Sequence, residues 1–484
     1  MTAPSKPGCD SRKGVALVMV LWLMVILSAV ALGTSFVSRL RLQATRNSAD
    51  GVRALFCARA GVEAAMAQLK ADRNRVLAVT DLRESAERTY QSVEVGDGSY
   101  TLFVGAAESG SAQPDFGIVD EAGKLNLNTA TEEMLRKLPG MTEELAAGIV
   151  QLRQESDTLY DLADLLLLEG VDLSLLYGED QNGNGLLDPN EDDGDESWPP
   201  DNSDGELDRG LAPYVTCSSA VRNVTSDGNA RVNVNTAGAD EITRGASGIN
   251  QQQADSIVEH RKKGQLGSIA DLLDVMLVEK VEQSEDGQDG QQGRSSGQRN
   301  REEDSNQGGA EARGGEAGGS SGGARDGRDQ GERQGSRTGG SSGETQVRTT
   351  NKNAFSVEDL KRIADAVTTS DDETLQGVIN VNTAPVQVLA CLPGVEEELA
   401  VQIADARPET GFQSIGDLLD VPGLTTDVFK QMCGSVSVRS DVFGVQSFGV
   451  LTAPDGTLAA CCCVWAVIDV TGDQVKLNVW RELR

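Results

Sequence analysis

Asp180, Asn182, Asn184, Asp188 and Glu191 stand at positions one, three, five, nine and twelve of the stretch DQNGNGLLDPNE, with Gly185 at position six. Side-chain oxygens at that spacing, glycine at the sharp turn and a backbone carbonyl from position seven, here Leu186, make the pattern of a calcium-binding loop. Glu191 at the last position offers both carboxylate oxygens to one ion. Asp192, Asp193 and Asp195 follow at once, and DNSDGELD at 201–208 offers further ligands or a second ion. Without an ion these carboxylates would crowd and repel one another, so calcium is expected to stabilise the loop. Trp198-Pro199-Pro200 stops any helix from leaving it. The ion expected here is therefore structural, not a trigger of conformational change.

A loop of this kind has to be held by folded elements, and the chain declares several. Residues 15–33, VALVMVLWLMVILSAVALG, form an uncharged apolar run behind a short basic leader that ends Arg12-Lys13-Gly14. A run of this length spans a bilayer as one helix, and basic residues before it favour a cytoplasmic N-terminus with the rest exported. No proline interrupts 34–70, where Ala54, Leu55, Ala58, Val62, Ala65, Met66 and Leu69 recur at helical spacing. One long helix is predicted, apolar in its first half and amphipathic in its second. Three readings fit it: a signal peptide cut after Ala29-Val30-Ala31, a plain membrane anchor, or a pilin-like N-terminus cut after Gly14. The glycine before the apolar run matches the last class. The fifth residue after it is Met19, where pilins usually carry glutamate.

The net charge of −32 over 484 residues speaks against a nucleic-acid-binding surface, which needs clustered Lys and Arg. Among eight cysteines there is no CxxC pair, so no zinc site is indicated; Cys461, Cys462 and Cys463 lie in an apolar, strand-like run and are expected in the core. QSVEVGDGSYTLFVG (91–105) reads as a hairpin, and 116–120 as a strand. From 434 onward SVSVRS, FGVQSFGVLT, AACCCVWAVIDVT and QVKLNVWREL read as strands of the same antiparallel sheet.

Between those strands one phrase occurs three times: KLNLNTA at 124–130, RVNVNTA at 231–237 and VINVNTA at 378–384. LRKLPGMTEELAAGIVQLRQ (135–154) matches VLACLPGVEEELAVQIADAR (388–407), and the middle copy is looser. Asn-Thr-Ala is expected to cap a helix. Leu-Pro-Gly then turns the chain into a second helix, and the unit resembles a helix-hairpin-helix motif. Glu143, Glu144, Glu397 and Glu398 beside the hairpins would repel phosphate, so packing is preferred to DNA binding. Residues 281–350 are Gly, Ser, Gln, Arg, Asp and Glu with almost no apolar side chains, and are expected to be disordered.

The Gly14 junction, Met19, the run Ala58-Arg59-Ala60-Gly61-Val62-Glu63, DEAGKLN at 120–126, the Asn-Thr-Ala repeats and the acidic loop at 180–195 together resemble the general secretion pathway protein K family, minor pseudopilins of type II secretion systems. The resemblance spans nearly the whole chain except the 281–350 insert and the middle repeat. It implies an α+β fold: a pilin-like long N-terminal helix and small antiparallel sheet, with an inserted all-α helix-hairpin-helix (SAM-like) domain. The boundaries expected are a leader at 1–14, the helix at 15–70, the first part of the sheet at 71–120, the inserted domain with two repeats and the calcium loop at 121–280, the linker at 281–350, a third repeat at 351–432 and the last strands at 433–484. It further implies a prepilin peptidase that cuts after Gly14 and methylates Val15, and a single pass through the inner membrane with the body in the periplasm. The partners implied are the other minor pseudopilins of a tip complex, with calcium as a structural cofactor and no nucleic acid. Met19 fits a tip subunit, which has no subunit above it whose amine needs a glutamate. No catalytic triad, P-loop or dinucleotide loop is recognisable, so no enzymatic activity is expected. The alternative from another class is an exported or membrane-anchored helix-hairpin-helix protein that binds or takes up DNA.

Overall fold

The computed structural model describes residues 11–85, 89–106, 114–156, 158–180, 187–194, 201–281 and 346–483. Residues 1–10 of the leader and 282–345 of the insert lie outside them. Contacts divide the chain into a large unit, 1–278 with 350–484, and a second unit, 279–349.

In the large unit, helix α1 runs unbroken over Ser11–Ala71. Its second half packs on a seven-stranded antiparallel sheet through Ala58, Val62, Ala65 and Leu69, all buried. The sheet contains β1 (Val93–Val95), β2 (Gly98–Ala106), β3 (Pro114–Phe116), β4 (Val119–Asp120), β5 (Val442–Thr452), β6 (Leu458–Asp469) and β7 (Lys476–Leu483). The strand order is β1-β2-β5-β6-β7, with β3 paired to β2 and β4 to β5. β5 therefore lies between the two halves of the sheet, antiparallel to β2 over Gln446↔Phe103 to Leu451↔Gly98 and to β4 over Phe443↔Asp120. Both ends of the inserted head leave from this one place.

Small residues set how closely α1 approaches. A Cβ added at Gly449 would lie 2.0 Å from the Ala54 carbonyl oxygen and 2.4 Å from the Ala58 nitrogen, both backbone atoms of α1. Backbone cannot yield as a side-chain tip can. Gly449→Ala is expected to cost about 2–3 kcal/mol, read from urea denaturation; an unchanged midpoint would show the helix rides higher on the sheet. Along β6 burial rises from Cys461, exposed, through Cys462, half-buried, to Cys463, buried, so only part of the expected core placement holds.

The head consists of three units built alike. Each has a two-residue strand, a short helix, a glycine hairpin, a second helix, a 3-10 turn, a closing helix and a second two-residue strand parallel to the first. In the first unit these are Leu125–Asn126, Glu132–Arg136, Glu143–Ser156, Leu162–Leu167, Leu173–Tyr177 and Val215–Thr216. The second has Val232–Asn233, Ala239–Gly245, Gln251–His260, Ile269–Asp274, Val357–Ile363 and Val367–Thr368. The third has Ile379–Asn380, Val386–Leu389, Glu397–Asp405, Ile415–Asp420, Thr426–Met432 and Val436–Ser437. The hairpin glycines, Gly140, Gly248 and Gly394, have φ of 71°, 115° and 74°, a conformation that excludes most side chains.

Two boundaries differ from expectation. Residues 351–368, placed with the third repeat, complete the second: Val367 pairs with Val232 across the insert. SVSVRS, expected in the sheet, instead closes the third repeat, with Val436 paired to Ile379. At the roots of the insert, Met276–Val281 and Gln346–Asn353 are strands that pair, so its last residues, expected to be disordered, are ordered from 346. Thr350 Oγ1 donates to the Leu277 carbonyl at 2.9 Å and Asn353 Nδ2 to that of Leu273 at 2.8 Å.

Asn-Thr-Ala is not a helix cap. Thr131, Gly238 and Pro385 occupy the cap positions. The second Asn of each phrase instead ties three distant segments together. Asn382 accepts from Phe412 N (2.7 Å) and donates to the Phe412 and Val438 carbonyls (3.0 and 2.9 Å). Asn128 does the same with Leu159 and Cys217, and Asn235 with Leu266 and Thr369. One arginine per unit, Arg153, Arg261 or Arg407, donates to two carbonyls of the same phrase. Asp164, Asp271 and Asp417 each accept two backbone N–H groups ahead of the 3-10 turn.

Candidate metal loop and assembly helix

The acidic loop lies inside the first unit, between its closing helix and its last strand. From 179 to 208 it carries twelve Asp or Glu and no Lys or Arg. Asp180, Asp188, Glu191, Asp192 and Asp193 are among the described residues; Asn182, Asn184, Leu186 and Asp195 lie outside them. Among the described residues no three His, Cys, Asp or Glu side chains converge as a ligand group.

The described part is organised around buried carboxylates. Glu191 is 1% exposed, and its Oε2 accepts from Asp188 N at 3.0 Å. Glu179, 6% exposed, accepts from Asn202 N and Asp208 N at 3.4 and 3.2 Å. Asp192 Oδ1 accepts from Gly205 N at 3.1 Å, tying 192 to the 201–208 stretch. Carboxylates leave water only when paired, hydrogen-bonded or metal-bound. A last-position glutamate turned inward, in a loop with no basic residue of its own, fits a hard divalent cation.

Asp201, the first residue of the stretch expected to offer further ligands, instead ties the described parts of the loop together. Its carboxylate accepts from Gly194 N (2.9 Å), Ser203 N (2.8 Å) and Asp193 N (3.0 Å). Desolvation pushes its pKa up, but these donors outweigh that and hold the carboxyl below the ordinary aspartate value. A depressed carboxylate stabilises the fold above its unfolded pKa and loses that contribution as pH falls through the folded value. Loop opening on acidification is therefore expected below about pH 4. Amide exchange at Gly194 and Ser203 checks it, and protection unchanged down to pH 2 would remove Asp201 from this role. The sequence signal was present: an Asx residue two positions before Ser203 marks a local turn.

The first half of α1 does something different. Leu17, Met19, Leu23, Ile26, Leu32 and Phe36 are all exposed, and Met19 is 67% exposed. The helix is long and apolar enough to cross a membrane, and its apolar window buries nothing inside the unit. Gly14 and Val15 are in the helix. The helix thus offers an unpaired apolar surface at one end and a packed amphipathic face at the other.

A model of the helix-hairpin-helix motif matches residues 120–177, 228–281 and 376–437. The chain contains three helix-hairpin-helix motifs. The second match stops at residue 281, where the insert begins, and the structure extends that unit to Thr368. Endonuclease/exonuclease/phosphatase family domain-containing protein 1 of Xenopus laevis is 29% identical over 154 residues, 30% of this chain and 23% of that protein. The chain thus covers less than a quarter of that relative's length. No solved structure matches the chain.

Each hairpin glycine faces the closing helix of its own unit. A Cβ at Gly140 would meet Leu175, at Gly248 Arg362 and Ile363, and at Gly394 Gln431 and Val428. The third hairpin is also filled from the first unit: Lys137 Nζ donates to the Ala390, Leu392 and Val395 carbonyls at 2.9, 3.2 and 2.9 Å. The hairpins serve as joints between parts of the head.

Proposed function

We propose that the chain is a minor pseudopilin that caps the tip of a type II secretion pseudopilus and helps to start its assembly. The observation that carries this is the single helix Ser11–Ala71, exposed and apolar in its first half and packed on a small sheet in its second. An apolar half-helix with no partner in its own chain suits storage in a membrane and later packing against other such helices. A prepilin peptidase would cut after Gly14 and methylate Val15, and the other minor pseudopilins would receive the helix. The head, inserted between β4 and β5, would block addition of a further subunit above it. Asp180, Asn182, Asn184, the Leu186 carbonyl, Asp188 and Glu191 would hold calcium, with Asp192, Asp193 and Asp195 beside them. The ion would supply the positive charge that the 179–208 loop lacks.

Mass spectrometry of the mature N-terminus from native membranes tests the reading. N-methylated Val15 is expected; a start at Leu32 or at Met1 would remove the fibre mechanism.

The motif match favours one other reading, a membrane-tethered DNA-binding protein. The hairpins packed under their own closing helices and the net charge of −32 speak against it. It requires salt-sensitive DNA binding lost on changing 138–142 or 392–396. No binding at physiological salt is expected.

A further inference from the structure

Helix α1 changes chemistry where its apolar run ends. From 34 to 60 it carries Arg39, Arg41, Arg46, Arg53 and Arg59 against Asp50 alone, in a chain of net charge −32. Two of these arginines are used inside the unit. Arg53 pairs with Asp50 at 3.4 Å, and Arg59 lies over the rings of Phe56 and Trp480. Arg39, Arg41 and Arg46 are exposed and, among the described residues, their side chains make no hydrogen bond, ion pair or ring contact. Orientation does not explain them. The bias that keeps Lys6, Arg12 and Lys13 in the cytoplasm is opposed by arginines on the exported side.

Their depth does separate them. At about 1.5 Å per residue, Arg39 stands about 9 Å past Gly33, Arg41 about 12 Å and Arg46 about 20 Å. The headgroup layer on each side of a bilayer is about 5–7 Å deep. Side chains on a helix lean toward its N-terminus, here back toward the apolar run, and the long arginine stem follows apolar surface while its head stays polar. Arg39 and Arg41 therefore reach the depth of lipid phosphates, and Arg46 does not. One turn nearer the run, Ser35 stands beneath Arg39 and Ser38 beneath Arg41. Thr34 and Thr45 turn their hydroxyls back onto the Ala31 and Arg41 carbonyls at 3.0 and 2.8 Å. Ser35 and Ser38 are exposed and, among the described residues, make no such bond. Each couple thus offers a guanidinium fork and a hydroxyl to one phosphate.

Arg39 and Arg41 point about 200° apart around the helix, at about 100° per residue. A single partner helix could cover only one of them, whereas lipid surrounds a helix on every side. We propose that Arg39 with Ser35, and Arg41 with Ser38, form two sites for anionic lipid headgroups at the exported surface of the membrane. This rests on the reading of 15–33 as a membrane span, and not on the pseudopilin assignment.

Native mass spectrometry of the full-length chain, released from nanodiscs of equal parts phosphatidylcholine and phosphatidylglycerol, tests it. The wild type is expected to retain two phosphatidylglycerols, each enriched about fivefold over phosphatidylcholine. Arg39→Gln and Arg41→Gln should each lose one of them, and the double variant both. Arg46→Gln should behave as the wild type does. Equal retention of the two lipids by the wild type overturns the proposal. Enrichment that survives in the double variant overturns it too, as does a loss in Arg46→Gln equal to that in Arg39→Gln. A chain that does not enter a nanodisc of phosphatidylcholine alone overturns the spanning reading and this proposal together. A chain that enters and shows no enrichment overturns this proposal alone.

Discussion

Calcium is expected to raise the melting temperature of the wild-type chain and to leave that of the Asp180→Ala, Glu191→Ala double variant where chelator puts it. A site filled at a hundredfold excess over its dissociation constant adds about 2.7 kcal/mol to folding stability. The double variant removes the first and last ligand positions of the loop, so the whole increment is at stake. Losing the buried Glu191 side chain also costs stability directly. The test therefore compares each protein with itself, in calcium and in chelator. The wild type melting at one temperature in both would end the metal-site proposal, whatever the variant does. If the loop also matters for assembly, secretion should fall with the same substitutions.

Asn382→Ala is expected to cost about 3 kcal/mol or more in chemical denaturation, and Asn235→Ala about 1–2 kcal/mol. Both remove one acceptor and two donors that bind backbone groups far apart in sequence. A buried polar group left without its partner costs about 1–3 kcal/mol. Asn382 is 2% exposed, so Phe412 N and the Phe412 and Val438 carbonyls would be stranded away from water. Asn235 is half-buried, and water can replace much of what it supplies. Equal costs at the two sites would mean that burial is not what makes the bond valuable. A cost below 1 kcal/mol at Asn382 would mean that it does not join the third unit's segments.

These asparagines also show where the sequence was legible and where it was not. The threefold phrase around Asn126, Asn233 and Asn380 located every unit of the head. Its chemical role was misread, because a cap is judged from neighbours within one turn, whereas the partners of Asn382 lie 30 and 56 residues away. The middle repeat looked loose for a related reason. It has Ala-Ser-Gly where the others have Leu-Pro-Gly, yet it retains Asn235, Arg261 and Asp271, which make the same bonds as their counterparts. Its closing helix was assigned to the next repeat because the polar insert separates Asp274 from Val357. SVSVRS alternates as a sheet strand does, and alternation alone does not say which sheet. The hairpin at 93–106, the strand at 119–120 and the long helix were readable because each rests on local pattern. The candidate metal loop likewise rests on local pattern alone, six ligand positions within twelve residues. Asp201 was read as a possible ligand and not as a hydrogen-bond acceptor, because its bonds reach back to Asp193 and Gly194, across the Trp-Pro-Pro segment.

The head begins after Asp120 and ends before Val442, and the residues flanking those points pair with each other, Phe443 with Asp120. Mechanically this is a two-legged stalk with both feet on one spot. A pull on the head draws β4 and β5 the same way, along their own length. β5 is hydrogen-bonded on one side to β6 from Val442 to Thr452, and on the other to β2 from Gln446 to Leu451. Tension along such a strand loads its bonds in shear, so many must fail together, whereas peeling would break them singly. The same arrangement lets the head be cut away and the legs joined by a short turn, leaving helix and sheet with every strand in register.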